Sequence, residues 1–165
     1  MTISKLMRPA ATTLLAILPL VASAQTATDT FDVQITIAAE CEIVSTETLD
    51  FGSAGVLSGD VDASADLEVA CTESTPFDIG LNEGTGAGGT TATRQMTGPG
   101  ATTIAYQMFQ NAGRTTNWGD AVGTDTVTST GTGTTQSFTV YGRVIAQTTP
   151  APGTYTDTVT VTVTY

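Results

Sequence analysis

From Gln25 to Tyr165 apolar and polar residues alternate with a period of two, and no stretch keeps a 3.6-residue period. Phe31, Val33, Ile35 and Ile37 share one face, with Asp32, Gln34 and Thr36 on the other. Leu67, Val69 and Cys71 alternate with Glu68 and Ala70. Phe77, Ile79 and Leu81 follow, then Ile104, Tyr106 and Met108, then Phe138, Val140, Gly142 and Val144. The cleanest run closes the chain. Tyr155, Val159, Val161, Val163 and Tyr165 fall on one face and threonines on the other, as in a sheet with one solvated surface. Turn-forming clusters separate these runs, at Gly84 to Gly89, Gly98 to Gly100, Asn111 to Gly113, Trp118 to Asp120 and Pro150 to Gly153. Six or seven short strands joined by such turns predict an all-β chain folded as a sandwich. The low-complexity segment 124–137 reads either as a hairpin with a glycine turn or as a loop.

The first residues break the pattern. Lys5 and Arg8 precede an apolar stretch from Ala10 to Val21, and Ala22-Ser23-Ala24 offers small residues for cleavage. This layout predicts a secretory signal peptide over 1–24. The apolar stretch is too short to span a bilayer, which takes ~20 residues. Gln25 follows the expected cut, and no cysteine stands there for lipid attachment. The organisation expected is therefore a leader (1–24), an N-terminal extension (25–38) and one domain (39–165). A chain of 165 residues has room for little more.

Export changes how the charges and cysteines are read. Residues 25–165 carry Arg94, Arg114 and Arg143 against all 16 acids, a net charge of −13, with no lysine. Such a surface repels nucleic acid and anionic lipid, whose phosphates are bound by cations. No nucleic-acid partner and no direct membrane insertion are expected. The absence of histidine removes Ser-His and Cys-His catalysis. Cys41 and Cys71 are the only cysteines, and an oxidising compartment favours a bridge between them.

Several motifs resemble chemistry. Gly84 to Gly89 matches G-x-G-x-x-G, but a dinucleotide site needs a strand before it and a helix after it, and Thr90, Thr91 and Thr93 follow here. It reads as a glycine-rich loop. Asp60, Asp62 and Asp66 are acidic enough for calcium but lack the closing glutamate of a calcium loop. Trp118 and Tyr106 are candidate sugar-stacking rings, the weak basis for a carbohydrate-binding or hydrolytic β-sandwich. No metal, cofactor or catalytic group is expected, and the chain does not read as an enzyme.

A resemblance emerges from several fragments in order. An alternating N-terminal run ends at Cys41, followed by Leu49-Asp50-Phe51-Gly52 and Val69-Ala70-Cys71-Thr72. Next come Tyr106 in IAYQMFQ, Trp118-Gly119, Tyr141-Gly142-Arg143 and the closing stretch from Pro152 to Val159. Over 31–165 the chain resembles the spore coat protein U-like domain family, which includes subunits of archaic chaperone–usher pili. The resemblance implies an incomplete immunoglobulin-like sandwich, completed by a donor strand from another subunit. It also implies a homopolymer built by donor-strand exchange, a periplasmic chaperone, an outer-membrane usher, and passage through the periplasm to a cell-surface pilus with a role in adhesion or biofilm.

Carried onto this sequence, the donor segment spans about Thr28 to Ala38, with Phe31, Val33, Ile35 and Ile37 filling pockets along a neighbour's groove. The acceptor groove would be flanked by Tyr155, Val159, Val161, Val163 and Tyr165. Residues 31–37 read equally as the first strand of a sandwich complete in its own chain. That alternative makes the protein a self-contained secreted coat or matrix protein.

Overall fold

The computed structural model describes residues 23–165, so nearly all of the predicted leader lies outside the described residues. The chain divides into two units, Met1–Ile35 and Thr36–Tyr165. In the first, residues 23–35 form neither strand nor helix, and their side chains are exposed.

The second unit has eight strands rather than six or seven. They are β1 (Cys41–Thr46), β2 (Val61–Cys71), β3 (Pro76–Leu81), β4 (Arg94–Thr97), β5 (Thr103–Phe109), β6 (Val127–Thr130), β7 (Thr135–Val144) and β8 (Val161–Thr164). A single 3-10 turn spans Pro99–Ala101. All pairings are antiparallel. Five strands form one sheet in the order β1-β2-β7-β5-β4, and three form another in the order β6-β3-β8. β6 and β7 are consecutive in sequence but lie in different sheets, so 124–137 is neither a paired hairpin nor wholly a loop.

The alternating runs become the inner faces. Leu67, Val69 and Cys71 from β2, Tyr106 and Met108 from β5, and Val140 and Val144 from β7 face Phe77, Ile79 and Leu81 from β3. Trp118, from the turn after β5, is buried among them, and its indole N–H donates to the Ile79 carbonyl at 2.8 Å. A buried indole with its donor satisfied is a packing element. Trp118 and the equally buried Tyr106 are therefore not the exposed rings a sugar would need.

The strands differ in how firmly they are held. β2 is an interior strand, paired with β7 from Val61 to Ala70. β1 lies at the edge, with every residue after Cys41 exposed and a register shift between Ile43 and Ser45 that leaves Val44 as the extra residue of a bulge. Cys41 sits opposite Cys71, and the two are joined by a disulfide with S–S 2.05 Å.

The closing run is not a single strand. Thr156 bridges Thr97 of β4 in the larger sheet, while Val161–Thr164 pairs with β3 in the smaller one. Asn82 marks the crossing: its N–H donates to the Thr160 carbonyl at 3.1 Å, and its Oδ1 accepts from the Thr160 N–H at 2.8 Å. Strict alternation persists through the crossing, which is why the sequence pattern resembles one long strand.

Candidate functional site

β8 is paired on one side only, with β3, and no described strand continues the smaller sheet beyond it. Beside it the two sheets stand apart around an open cleft of about 900 Å³. Leu67, Tyr106 and Val140 form its floor, with Leu49 and Phe51 on one wall and Val159 on the other. The wall bearing Leu49 and Phe51 follows β1 but is not a strand. It is held close because β7 has a glycine beneath it. A Cβ at Gly142 would come within 2.6 Å of Leu49 and 2.8 Å of Phe51. Phe51 then meets the Tyr106 ring edge-on, with centroids 6.2 Å apart.

The predicted groove-edge residues divide along the strand. Tyr155, Val159 and Val161 line the cleft, while Val163 packs on the core and Tyr165 is exposed. β8 also comes within 8 Å of β1 between Cα atoms. The predicted donor side chains lie in no strand and are open to solvent, Phe31 at 87%, Val33 at 86%, Ile35 at 82% and Ile37 at 69% of full exposure.

Two polar centres support the cleft, and neither is visible as a sequence motif. The glycine-rich loop folds around a carboxylate of its own chain. Asp157 Oδ1 accepts from the N–H groups of Thr85 (2.7 Å) and Gly86 (3.1 Å) and from the Thr85 hydroxyl (2.9 Å). Its Oδ2 accepts from the Tyr106 hydroxyl at 2.8 Å. Gly84 has a φ of 82° and lies so close that a Cβ there would overlap the Asp157 carboxylate. Burial would raise the Asp157 pKa, but hydrogen bonds from Tyr106 and Thr85 together hold it below the ordinary 3.8. Burial, reinforced by the bond to Asp157, pushes the Tyr106 phenol above the usual tyrosine range.

The second centre is Arg94, which has no exposed surface. Its guanidinium donates to the carbonyls of Asn82 (2.7 Å), Thr91 (2.8 Å), Leu81 (2.7 Å) and Trp118 (2.8 Å). Loss of hydration lowers its pKa, partly offset by Tyr106 and nearby aspartates. One side chain thus satisfies carbonyls from the end of β3, the glycine-rich loop and the Trp118 turn.

The acidic trio is occupied by structural roles. Asp62 pairs with Arg143 at 2.8 Å and Arg114 at 3.2 Å, Asp60 lies 3.4 Å from Arg143, and Asp66 accepts from the Thr139 hydroxyl. The hydrogen bond from Arg143 is the main cause of the lowered Asp62 pKa. Among the described residues no group of three or more His, Cys, Asp or Glu side chains is placed to hold a metal.

The model of the Spore Coat Protein U domain matches residues 27–162. The chain belongs to the spore coat protein U domain family. A search of curated proteins gives no match. Among solved structures, this family member is similar to a chain in the crystal structure of the CsuC–CsuE chaperone–tip adhesion subunit pre-assembly complex from the archaic chaperone–usher Csu pili of Acinetobacter baumannii. The two are 29% identical with a TM-score of 0.56 over 79% of this chain and 40% of that one. The chain therefore spans less than half the length of that relative. Within this family framework the open arrangement of β1 to β8 is an incomplete immunoglobulin-like sandwich.

Proposed function

We propose that this chain is a structural, non-enzymatic subunit of an archaic chaperone–usher pilus that polymerises by donor-strand exchange. The observation that carries the reading is the pairing of an open apolar cleft beside a one-sided strand with an exposed, alternating apolar segment. The backbone edge of β8 would supply the ladder, and pockets along the cleft would take Phe31, Val33, Ile35 and Ile37 of a neighbour.

Strand direction argues against the chain's own segment lying antiparallel to β8. Cys41 opposes Cys71, and Thr164 opposes Asp78 a few residues later, so the start of β1 and the end of β8 share one pole. Residues 38–40 prolong the line of β1, tied to Thr72 through the Thr72 N–H bond to the Glu40 carbonyl at 2.9 Å. The cleft instead opens along the half of β8's approach that runs from Tyr155 to Val161. A strand lying antiparallel to β8 would have to end at that far half, which three residues leaving the opposite pole do not reach at ~3.3–3.6 Å each. A second subunit can meet this demand.

An apolar cleft next to an unpaired edge is prone to aggregation. The reading therefore includes a periplasmic chaperone that covers the cleft, an outer-membrane usher, export by the leader, and display on the cell surface. The relative's own complex with a chaperone, as described for the Csu pilus, supports it. Deleting residues 25–38, or substituting Ile35→Asp, should abolish polymerisation while leaving a chaperone-bound monomer. A carboxylate forced into an apolar pocket is costly. Size-exclusion chromatography and electron microscopy read the result. Fibres assembled from the truncated chain would overturn strand donation and favour the self-contained coat protein.

A further inference from the structure

We infer that the Cys41–Cys71 disulfide and Thr72 form a mechanical clamp. The clamp passes tension from the N-terminal segment directly to β2 and spares β1. This rests on the pilus reading, in which a pull on the fibre enters each subunit through residues 28–38.

The first strand such a pull meets is weakly covered. β1 is an edge strand, exposed beyond Cys41 and interrupted by a bulge at Val44. Its exposed apolar side chains, Ile43 and Val44, contribute little burial to resist peeling. β2 is its opposite. It pairs along ten residues with β7 and buries Ala65, Leu67, Val69 and Cys71.

The join between them sits at the first residue of β1. Cys41 is bonded to Cys71, the last residue of β2. The bond is preceded by a knot of hydrogen bonds on Thr72. Its N–H donates to the Glu40 carbonyl at 2.9 Å, and its hydroxyl accepts from the Glu40 N–H at 2.7 Å. The same hydroxyl lies 3.0 Å from the Glu40 carbonyl and 3.3 Å from that of Ala38. Thr75 adds its own hydroxyl at 3.3 Å and its N–H to the Thr72 carbonyl at 3.1 Å. Load arriving at Ala38 is therefore shared with the β2–β3 corner before it reaches any hydrogen bond of β1. Residues 42 to 70 sit inside the covalent loop and are shielded from extension.

Single assembled fibres of the mature chain, stretched by atomic-force microscopy before and after treatment with dithiothreitol, test the clamp. In oxidised fibres, adjoining subunits should separate before any subunit lengthens. In reduced fibres, subunits should lengthen first and at lower force, each gaining up to about 100 Å from the 30-residue loop. Thr72→Val keeps the disulfide and removes the hydroxyl, so oxidised fibres of this variant should yield at a force between the two.

Hydrogen exchange provides a second readout. Reduction should strip protection from β1 amides while those shared by β2 and β7 stay protected. Fibres that lengthen at the same force with and without reductant, or β1 amides equally protected in both states, would overturn the clamp while leaving the pilus reading intact. Failure of the mature chain to form fibres that depend on residues 25–38 would remove both.

Discussion

Asp157 is the side chain on which the closing segment turns from one sheet to the other, and replacing it is the most informative single perturbation of the domain. In Asp157→Ala, the donors of Thr85 and Gly86 lose their acceptor but can turn to water, since this loop is largely exposed. Tyr106 is buried and its bond to Asp157 is part-buried, so water replaces this partner less readily. A hydrogen bond to a charged acceptor is worth about 1.5–3 kcal/mol, and a buried donor left unpaired costs about 1–3 kcal/mol. Counting the tyrosine in full and the loop in part gives a loss of about 3–4 kcal/mol, a large share of a domain stability of about 5–15 kcal/mol.

Trp118 is the sole tryptophan and is buried, so its fluorescence reports urea unfolding of the domain. With a slope of about 1.5 kcal/mol/M the midpoint should fall by about 2–3 M. Asp157→Asn keeps one acceptor oxygen and can donate to the phenol oxygen, so it should lose about half as much. The pH dependence has a definite sign. The folded-state pKa is depressed, so the contribution is fully present above the unfolded value near 3.8 and is lost as pH falls through the folded value. The gap between wild type and Asp157→Asn should therefore close on acidification. A midpoint for Asp157→Ala indistinguishable from wild type at neutral pH, or a gap between wild type and Asp157→Asn that widens as the pH falls below 3.8, would refute the reasoning.

Arg94→Met should cost about 3–5 kcal/mol, because two buried and two part-buried carbonyls lose their donor in one step; the same urea titration measures it, and Lys, with fewer and less spread donors, should restore only part. Asp62→Asn, by contrast, should shift the midpoint too little to resolve beside Arg94→Met. Whatever shift remains should vanish at 1 M salt, where the screening length is about 3 Å, because its arginine partners lie near solvent.

The sequence pattern reveals strands where burial is one-sided. Leu67, Val69 and Cys71, or Val140, Gly142 and Val144, declare a face because every second residue meets the core. β1 and β6 carry no such mark. β1 lies at a sheet edge with every residue after Cys41 exposed, so nothing selects alternation there, and β6 places a single apolar side chain, Val127, against the core. β4 is only four residues long, and its one fully buried residue is an arginine. The same reason hid the polar centres. Arg94 and Asp157 are satisfied mainly by backbone groups and a tyrosine far along the chain, which only the folded topology brings together. The cleft edge was legible as Tyr155, Val159 and Val161 because alternation continues through the crossing at Asn82. That Val163 packs on the core while Tyr165 is exposed is set by the folded topology, which no local pattern encodes.

The placement of the three arginines has a consequence for digestion. From residue 25 onward they are the only basic side chains. Arg94 lies wholly inside, Arg143 sits within β7 clasped by Asp62, and Arg114 is spread over the carbonyls of Gly142 and Ala63 with its charge 5.8 Å above the Tyr141 ring. An endoprotease that cuts after basic residues needs an extended, unpaired stretch of backbone around its target. In this domain it finds such targets built into the fold, and it must wait for the domain to open before it can cut.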